Sequence, residues 1–319
     1  MIPASGNVND NGRMLTMRPY TDADLPWIQE TVAEWIAGAG RCAYDHIGEL
    51  PHRIYENIRG RRPTGEVVHV WEDGGRLAGL TVNTRFENAF DVFTAPDLRG
   101  TQAEADMIEA ACATTGRGED EVLTDVFDCD TARIEVLERL GFTRFRTWDD
   151  VNEAALADLP APSPPPGFTL RAARLADADE LARARNSAFD SEWTGTQYRD
   201  EVMLKPGYDV DREIVAESPD GRIASFLVYW VDRRNAIGHF EPVGTHADFH
   251  RLGLARATML HAMHRMRALG LTTVTVNHNA ENVPARRLYA ALGFKKTHET
   301  YGYRRSTRRA SRAVPSPLH

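Results

Sequence analysis

The residue types best suited to chemistry in this chain form two short motifs in its second half. The first is His250-Arg251-Leu252-Gly253-Leu254-Ala255, which comes directly before a stretch of helical periodicity. A tight turn that opens a helix presents unpaired backbone N–H groups and the positive end of the helix dipole, which suits a pyrophosphate. Gly253 and Ala255 are small where backbone must approach phosphate oxygens, and Arg251 and Arg256 add positive charge. The alternative is an ordinary helix start, but the P-loop of nucleotide-binding proteins is excluded because no Lys-Ser or Lys-Thr follows.

The second motif is Asn-Val-Pro-Ala-Arg-Arg-Leu-Tyr, from Asn282 to Tyr289, followed by Leu-Gly-Phe at 292–294. Asn282 is a good N-cap residue and Gly293 a good stop signal, so we expect a helix between them. Tyr289 would lie near the end of this helix, either with its hydroxyl in a site or packed in the core.

The elements around both motifs predict an α/β domain. From 168 to 304 the order is strand, helix, three strands, helix, strand, helix and strand. Asp177 is the expected N-cap of the first helix. The last strand, FKKTHETYGYR, is expected to close this domain.

The first half of the chain repeats the same plan. Thr16-Met17-Arg18 before TDADL matches Thr169-Leu170-Arg171 before ADADEL, and the Leu-Gly-Phe at 140–142 matches the one at 292–294. These matches lie about 150 positions apart, which indicates duplication of a whole domain. The predicted organisation is a disordered N-terminus (1–13), a first domain (14–156), a Pro-rich linker (157–167), a second domain (168–305) and a disordered basic tail (306–319).

Both motifs resemble those of the GNAT superfamily of acyl-CoA-dependent N-acyltransferases. The family pattern Q/R-x-x-G-x-G/A matches 250–255, with His250 in place of the usual Gln or Arg, and N-x-x-A-x-x-L-Y-x-x-x-G-F matches 282–294. The tandem arrangement is loosely similar to that of mycothiol synthase-type enzymes. The resemblance implies an α/β fold of two tandem GNAT domains, each a mixed, mostly antiparallel sheet flanked by helices.

The resemblance also implies acetyl-CoA as cosubstrate. The strand ending at Val243 and the strand 274–277 would splay apart, and pantetheine would lie between them. The backbone N–H of Val243 would then stabilise the developing oxyanion. His250 departs from the family pattern, but its backbone N–H can still serve. The expected cosubstrate-binding residues are Val243, Gly244, Thr245, His250, Arg251, Leu252, Gly253, Leu254, Ala255, Arg256 and Asn282.

Acyl transfer to an amine needs a base for the amine and an acid for the departing thiolate. Tyr289 occupies the family's tyrosine position, so the resemblance makes it the expected general acid. The period of a strand places His239, Glu241 and Val243 on one face, and family bases often lie on this strand. Glu241 is our first choice of base and His239 the second, the alternative being hydrogen-bonded strand residues.

The segment after the first helix of the second half lines the acceptor site in this family. Asp190 and Glu192 could receive a cationic amine there, and Trp193 could stack on it. The alternative is simple loop acidity. No metal site is expected, because the histidine pairs lack an HExxH pattern or a nearby cysteine.

The first half departs from the family pattern at its chemical positions. Gln102 and Glu104 stand opposite the glycine and alanine of the phosphate loop, and a carboxylate there opposes an anion. Leu137 stands opposite the tyrosine and Asp130 opposite the asparagine. We therefore interpret this half as a degenerate GNAT domain that packs on the active one.

Composition narrows the functional class further. The net charge is −8, although the arginines from Arg304 onward lie in a stretch without an acid. The remaining acidic body disfavours nucleic acid as the main partner and is compatible with a cationic substrate. Without a run of about 18 apolar residues, no membrane span is expected. Three scattered cysteines predict neither a disulfide framework nor a CxxC metal site, and so a reducing, cytoplasmic setting.

These observations predict a cytoplasmic N-acetyltransferase, monomeric or homodimeric. It would transfer an acetyl group from acetyl-CoA to a primary amine of a small, cationic molecule by direct attack in a ternary complex. Two alternatives stay open: a different acyl-CoA or a protein N-terminal acceptor, and a non-catalytic CoA-sensing module. The tyrosine and the glycine loop favour an enzyme, since a binding module does not need an acid for a thiolate.

Overall fold

The computed structural model describes residues 7–8 and 14–307. The other residues of the predicted disordered N-terminus, and 308–319 of the predicted tail, lie outside the described residues. Asn7–Val8 form a short strand and Ser306 ends the last strand, contrary to the predicted disorder of these residues. Within the described residues, no helix has both the length and the apolar character needed to cross a membrane.

Nine α-helices and thirteen strands, with short 3-10 and π segments between them, are the elements of the described residues. The helices are α1 (Leu25–Ala39), α2 (Glu49–Pro51), α3 (Thr64–Val67), α4 (Gln102–Thr115), α5 (Thr131–Arg139), α6 (Ala178–Phe189), α7 (Gly195–Tyr198), α8 (Leu254–Ala268) and α9 (Val283–Ala291). The strands are β1 (Asn7–Val8), β2 (Met14–Pro19), β3 (Val68–Asp73), β4 (Arg76–Arg85), β5 (Ala89–Thr94), β6 (Glu121–Phe127), β7 (Thr143–Ala155), β8 (Thr169–Ala172), β9 (Glu213–Glu217), β10 (Ile223–Asp232), β11 (Ile237–Thr245), β12 (Thr273–Asn279) and β13 (Lys295–Ser306).

The strands form one continuous sheet in the order β1-β2-β3-β4-β5-β6-β13-β7-β12-β11-β10-β9-β8. The pairs β5/β6 and β11/β12 are parallel and the others antiparallel, which confirms the predicted mixed, mostly antiparallel sheet. Helices flank this sheet, as the family resemblance implied.

The last strand of each half lies in the sheet of the other half. β13 pairs with β6 and β7, and β7 pairs with β12. The expectation that FKKTHETYGYR closes the second domain is therefore wrong. Side-chain burial explains the exchange, because Tyr303 of β13 belongs to the first-half core while Ala154 of β7 belongs to a second-half core.

The predicted splay in the second half is confirmed. β11 and β12 pair from Ile237 with Thr273 to Phe240 with Val276, and the pairing then ends. The register of β11 against β10 also shifts between Phe240 and Val243, which leaves Glu241 and the proline after it as a bulge. The bulge and the open edge together create a gap in the middle of the sheet.

The cysteines correct a further expectation. Cys42, in the loop after α1, forms a disulfide with Cys129, in the loop before α5, and the two Cα atoms are 5.9 Å apart. Cys112 is free and buried. Positions 87 residues apart gave no pairing signal in the sequence. Cysteine usage therefore no longer supports a reducing compartment, and a cytoplasmic location stays a prediction.

Candidate active site

A cavity of about 990 Å³ lies where β11 and β12 part, and both halves of the chain contribute to its wall. The second half supplies the end of β11, the start of α9 and the segment after α6. The first half supplies side chains from 49–61, 85–86 and 146–149. The site is therefore built between the halves rather than within the second half alone.

The loop before α8 has the geometry of an anion cradle. Gly253 is the N-cap residue with φ 79°, a left-handed conformation that residues with a Cβ rarely adopt. The N–H of Ala257 donates to the Gly253 carbonyl at 3.1 Å, so the earlier N–H groups of this first turn are free for a ligand. A Cβ on Gly253 would meet no atom within 4 Å, so the space beside the turn is open.

The expected cosubstrate residues separate into two groups. Those in the cavity wall are Val243, Gly244, Thr245, His250, Ala255 and Asn282. Arg251, Leu252, Gly253 and Arg256 are exposed on the loop and first turn. The side chain of Leu254 is buried in a small apolar cluster, so only its backbone can face a ligand.

Two of these side chains also have structural partners. Asn282 Oδ1 accepts the backbone N–H of Ala285 at 3.1 Å, which is the N-cap role that the sequence allowed. His250 Nε2 lies 3.1 Å from the carbonyl oxygen of Thr245, so its side chain holds the loop. The departure from Gln or Arg at this position therefore leaves the loop backbone available.

Glu241 lines the cavity at the bulge of β11. Its Oε1 lies 3.3 Å from Nε2 of His52, a first-half residue in the helical segment after α2. Burial raises the pKa of Glu241 to about 7, although the charge of His52 acts in the opposite direction. Burial would lower the pKa of His52, but the carboxylates of Glu56 and Glu241 raise it to about 9. A carboxyl group that titrates near neutral pH is well matched to base catalysis.

His52 is the start of a buried ion-pair chain that crosses between the halves. Its Nδ1 lies 3.4 Å from Glu56 Oε2, and Arg185 Nη1 lies 2.5 Å from Glu56 Oε1. Arg185, on α6, is fully buried and also pairs with Glu213 at 3.0 Å. This chain of charges fixes the position of the imidazole beside Glu241.

His239, our second choice of base, does not line this cavity. It is buried, with Nε2 2.8 Å from Glu49 Oε1 and Nδ1 2.8 Å from Thr275 Oγ1. It faces a second cavity of about 270 Å³ instead. Its position next to Glu49 and outside the larger cavity favours Glu241 over His239 as the base.

Glu49, His239 and Glu241 each bring one potential metal ligand within 4.8 Å of the others. We expected no metal here, and the existing contacts account for the cluster. Glu49 Oε2 accepts a hydrogen bond from Arg53 Nε at 3.0 Å, while its other oxygen faces His239. Burial would raise the pKa of Glu49, but Arg53 and His239 hold it well below its usual range.

Tyr289 is buried on α9 and lines the same cavity as Glu241. Its ring contacts Phe294 and His278 at centroid distances of 5.7 and 5.4 Å. Burial raises the pKa of its hydroxyl, so the phenol stays protonated at neutral pH. Both readings of this residue hold together: the ring packs in the core and the side chain borders the cavity.

The expected acceptor residues are only partly in place. Asp190 lines the cavity, whereas Glu192 is exposed and outside its wall. Trp193 is a correction: it is buried in the core beside Tyr198, with ring centroids 5.6 Å apart. A large aromatic residue next to a helix end fits a loop or a core equally well, and only packing decides between them.

Sequence reasoning missed the first-half wall of the cavity. Glu49 and Glu56 each have a basic residue three positions away and another four positions away, namely His52 and Arg53. That spacing places opposite charges on one helical face. This signal could have marked the segment as a buried charged surface.

The corresponding positions of the first half are filled by its own side chains. Glu104 is fully buried at the first turn of α4, and its Oε2 accepts the N–H of Gly100 at 2.6 Å. Arg133 pairs with Glu104 Oε1 at 2.8 Å. A carboxylate and its counter-ion thus occupy the place that a phosphate takes in an intact loop. Leu137, opposite Tyr289, is a core residue.

Comparison with known proteins agrees with this geometry. Residues 178–294 match the acetyltransferase (GNAT) family. A mycothiol acetyltransferase of Tsukamurella paurometabola is 27% identical over 282 residues, which cover 83% of this chain and 92% of the relative. Residues 178–294 therefore form a domain of the GNAT acetyltransferase type. A mycothiol acetyltransferase of Actinosynnema mirum is 32% identical to the chain over 168 residues, 50% of this chain and 54% of the relative.

Solved structures share the fold of this chain. A GCN5-related N-acetyltransferase from Sphaerobacter thermophilus superposes with a TM-score of 0.62 at 19% identity, covering 95% of this chain and 98% of the other. A tandem GNAT protein from the clavulanic acid biosynthesis pathway superposes with a TM-score of 0.63 at 13% identity, covering 93% and 100%. The two-domain arrangement is therefore one that other proteins share.

These comparisons support acetyl-CoA as the donor and acetyl transfer to an amine. The residues fit this donor, because the loop at Gly253 has open space beside it and the sheet is parted next to it. The carboxylate at Glu241 and the phenol at Tyr289 border the same cavity.

Proposed function

We propose that this enzyme acetylates a primary amine of a small molecule by direct attack on acetyl-CoA in a ternary complex. The observation that supports this most strongly is the placement of Glu241 and Tyr289 in one cavity beside the parted strands. A base and an acid with access to one cavity can serve a single displacement without a covalent enzyme intermediate.

Acetyl-CoA supplies the thioester, and the side chains move two protons. Glu241, with a pKa of about 7, is partly ionised at neutral pH and accepts a proton from the incoming ammonium group. The backbone N–H of Val243 donates to the oxyanion that forms as the amine nitrogen bonds to the carbonyl carbon. The C–S bond then breaks, the hydroxyl of Tyr289 protonates the thiolate, and the second proton lost from the amine nitrogen restores that hydroxyl.

We assign donor binding to the second half alone. The loop at Gly253 is open, whereas the equivalent place in the first half holds the Glu104–Arg133 ion pair. The first half would instead contribute the acceptor side of the cavity, through residues 49–61 and 146–149. Isothermal titration should accordingly give one acetyl-CoA per chain, and two equivalent sites would contradict this division of roles.

Thiol release from acetyl-CoA, measured across a panel of amines, tests the proposal directly. Tyr289→Phe should lower kcat by about 100-fold on the best amine, because acid catalysis contributes at least that much, while the Kd for acetyl-CoA stays within about twofold. Tyr301→Phe, on β13 and outside the cavity wall, is the matched control and should keep its kcat. Acetyl-CoA binding without thiol release to any amine would overturn the proposal.

A further inference from the structure

Five arginines line the first-half wall of the cavity: Arg53, Arg59, Arg61, Arg85 and Arg146. Three of them have acidic partners, and Arg53 pairs with Asp45, Glu49 and Asp91. Arg85 lies 3.2 Å from Asp91 and 2.9 Å from Asp125, and Arg61 lies 3.6 Å from Glu87 at the surface. The remaining two, Arg59 and Arg146, are half-buried and have no carboxylate within 4.0 Å among residues 15–307.

Aromatic rings hold these two guanidinium groups. That of Arg146 lies 4.3 Å from the ring centroid of Trp148, and its Nε is buried without a hydrogen-bond partner among the described residues. That of Arg59 lies 4.7 Å from the ring centroid of Trp193. Stacking of this kind orients a guanidinium but leaves its N–H donors free.

Other buried arginines in this protein show how unusual this is. Arg53 pairs with three carboxylates, Arg133 pairs with Glu104, and Arg185 with Glu213. A partly desolvated charge without a counter-ion is destabilising, because it gives up hydration without compensation. Arg59 and Arg146 are thus the two cavity guanidinium groups that a bound anion would complete.

Five acids line the same cavity. Burial raises the pKa of Asp149 to about 7, Asp190 is exposed on the second-half side, and the other three are matched by bases. Glu49 pairs with Arg53, Glu56 with Arg185, and Glu241 with His52. The first-half wall is therefore positive in effect, and a purely cationic acceptor would meet repulsion there. This outcome runs against the cationic acceptor that the sequence predicts.

The donor has its own place for negative charge. The open loop at Gly253 belongs to the second half, with Arg251 and Arg256 beside it, whereas Arg59 and Arg146 belong to the first half. We propose that Arg59 and Arg146 bind a carboxylate or phosphate group carried by the acceptor, so that the substrate is an amine that also bears an anion. This inference rests on the proposed function, since it places the acceptor's amine at Glu241.

Matched pairs of acceptors test this, with thiol release as the readout. A free amino acid is compared with its amide, and an amino sugar phosphate with the unphosphorylated sugar, which separates the two anion types. The anionic member of at least one pair should have a kcat/KM about tenfold or more higher, the range of one charge-assisted hydrogen bond. Equal values within both pairs would overturn the anion site while leaving the acetyltransferase proposal intact.

Two variants test whether Arg146 and Arg59 cause the preference for the anionic acceptor. Arg146→Gln and Arg59→Gln should each remove most of the tenfold preference, with little change for the neutral member and an unchanged KM for acetyl-CoA. Arg144→Gln is the matched control, because it lies two residues away on β7, pairs with Glu299 at 4.0 Å and is outside the cavity wall. If the KM for acetyl-CoA rises in Arg146→Gln or Arg59→Gln, these arginines bind the donor and the proposal is refuted.

A binding measurement keeps the inference independent of turnover. With saturating CoA in the donor site, titration with inorganic phosphate should change the tryptophan fluorescence, because Trp148 contacts Arg146. The change should be lost in Arg146→Gln. Phosphate binding of this kind without acetylation of any amine would leave the anion site standing and the proposed function refuted, and no phosphate response in the unmodified protein would refute the site.

Discussion

Replacement of His52 by glutamine tests whether the first half sets the pH range of catalysis. His52 comes from the half without a donor site, yet its Nε2 is 3.3 Å from Oε1 of Glu241. With a pKa of about 9, it is a cation at neutral pH and favours the ionised form of Glu241. Glutamine keeps the approximate size and polarity of the side chain but removes the charge.

The magnitude follows from the separation of the two groups. An opposite charge within about 4–6 Å lowers a carboxyl pKa by roughly 1–3 units. Loss of the His52 charge should therefore raise the pKa of Glu241 from about 7 to about 8 or above. Since the base must be ionised to act, each unit of this shift lowers the rate about tenfold on the acidic side of the pKa.

The assay is the pH dependence of kcat/KM between pH 5.5 and 10. The acid limb should lie near pH 7 in the unmodified enzyme and move upward by about 1 unit or more in His52→Gln, and the two profiles should converge above pH 9, where His52 itself is neutral. His264→Gln is the control, because this exposed histidine bonds to the Pro160 carbonyl and lies outside the cavity wall. A uniform loss of rate with an unmoved acid limb would refute the reasoning, and thermal unfolding of each variant checks that the fold is kept.

Three further outcomes are expected. Gly253→Ala should weaken acetyl-CoA binding at least tenfold by calorimetry, whereas Gly221→Ala, with the same kind of positive φ and open surroundings at a remote turn, should cost similar strain of about 1–2 kcal/mol and leave binding unchanged. Glu104→Ala should lower the free energy of unfolding by about 3–5 kcal/mol, because it strands the buried Arg133, and equal stability by urea titration would contradict the ion-pair account. Cys42→Ser should lower the free energy of unfolding by about 2–4 kcal/mol in non-reducing buffer and by nothing in reducing buffer, since it opens a disulfide that spans 87 positions.

Local sequence patterns were sufficient to predict the residues proposed to bind acetyl-CoA. Gly253 and Asn282 do what their positions in the chain predict, because a left-handed turn and an N-cap depend on a few neighbouring residues. Burial of Glu241 and its shifted pKa needed the structure, although strand periodicity had placed it on the same side as His239.

The residues proposed to bind the acceptor are brought together by long-range contacts. The sequence predicted these contacts less well. Glu49 and His239 are 190 positions apart, and no local pattern brings them together. The exchange of β7 and β13 was equally hidden, because both halves share one plan and either strand could close either sheet. Trp193 was misplaced for a related reason, since its burial depends on which helix packs over it.

By itself, the sequence predicted two related domains, a glycine loop suited to a phosphate in one of them, and a tyrosine as the acid that we propose for the thiolate. Each of these features depends on a short segment of the chain, whose geometry is set by neighbouring residues. Only the tertiary structure showed that His52 and several arginines of the first half line the cavity that contains Glu241. The reason is physical: the charge state of a buried carboxylate, and the charge that a cavity presents, depend on whichever groups lie within a few ångströms, however far apart they are in the chain.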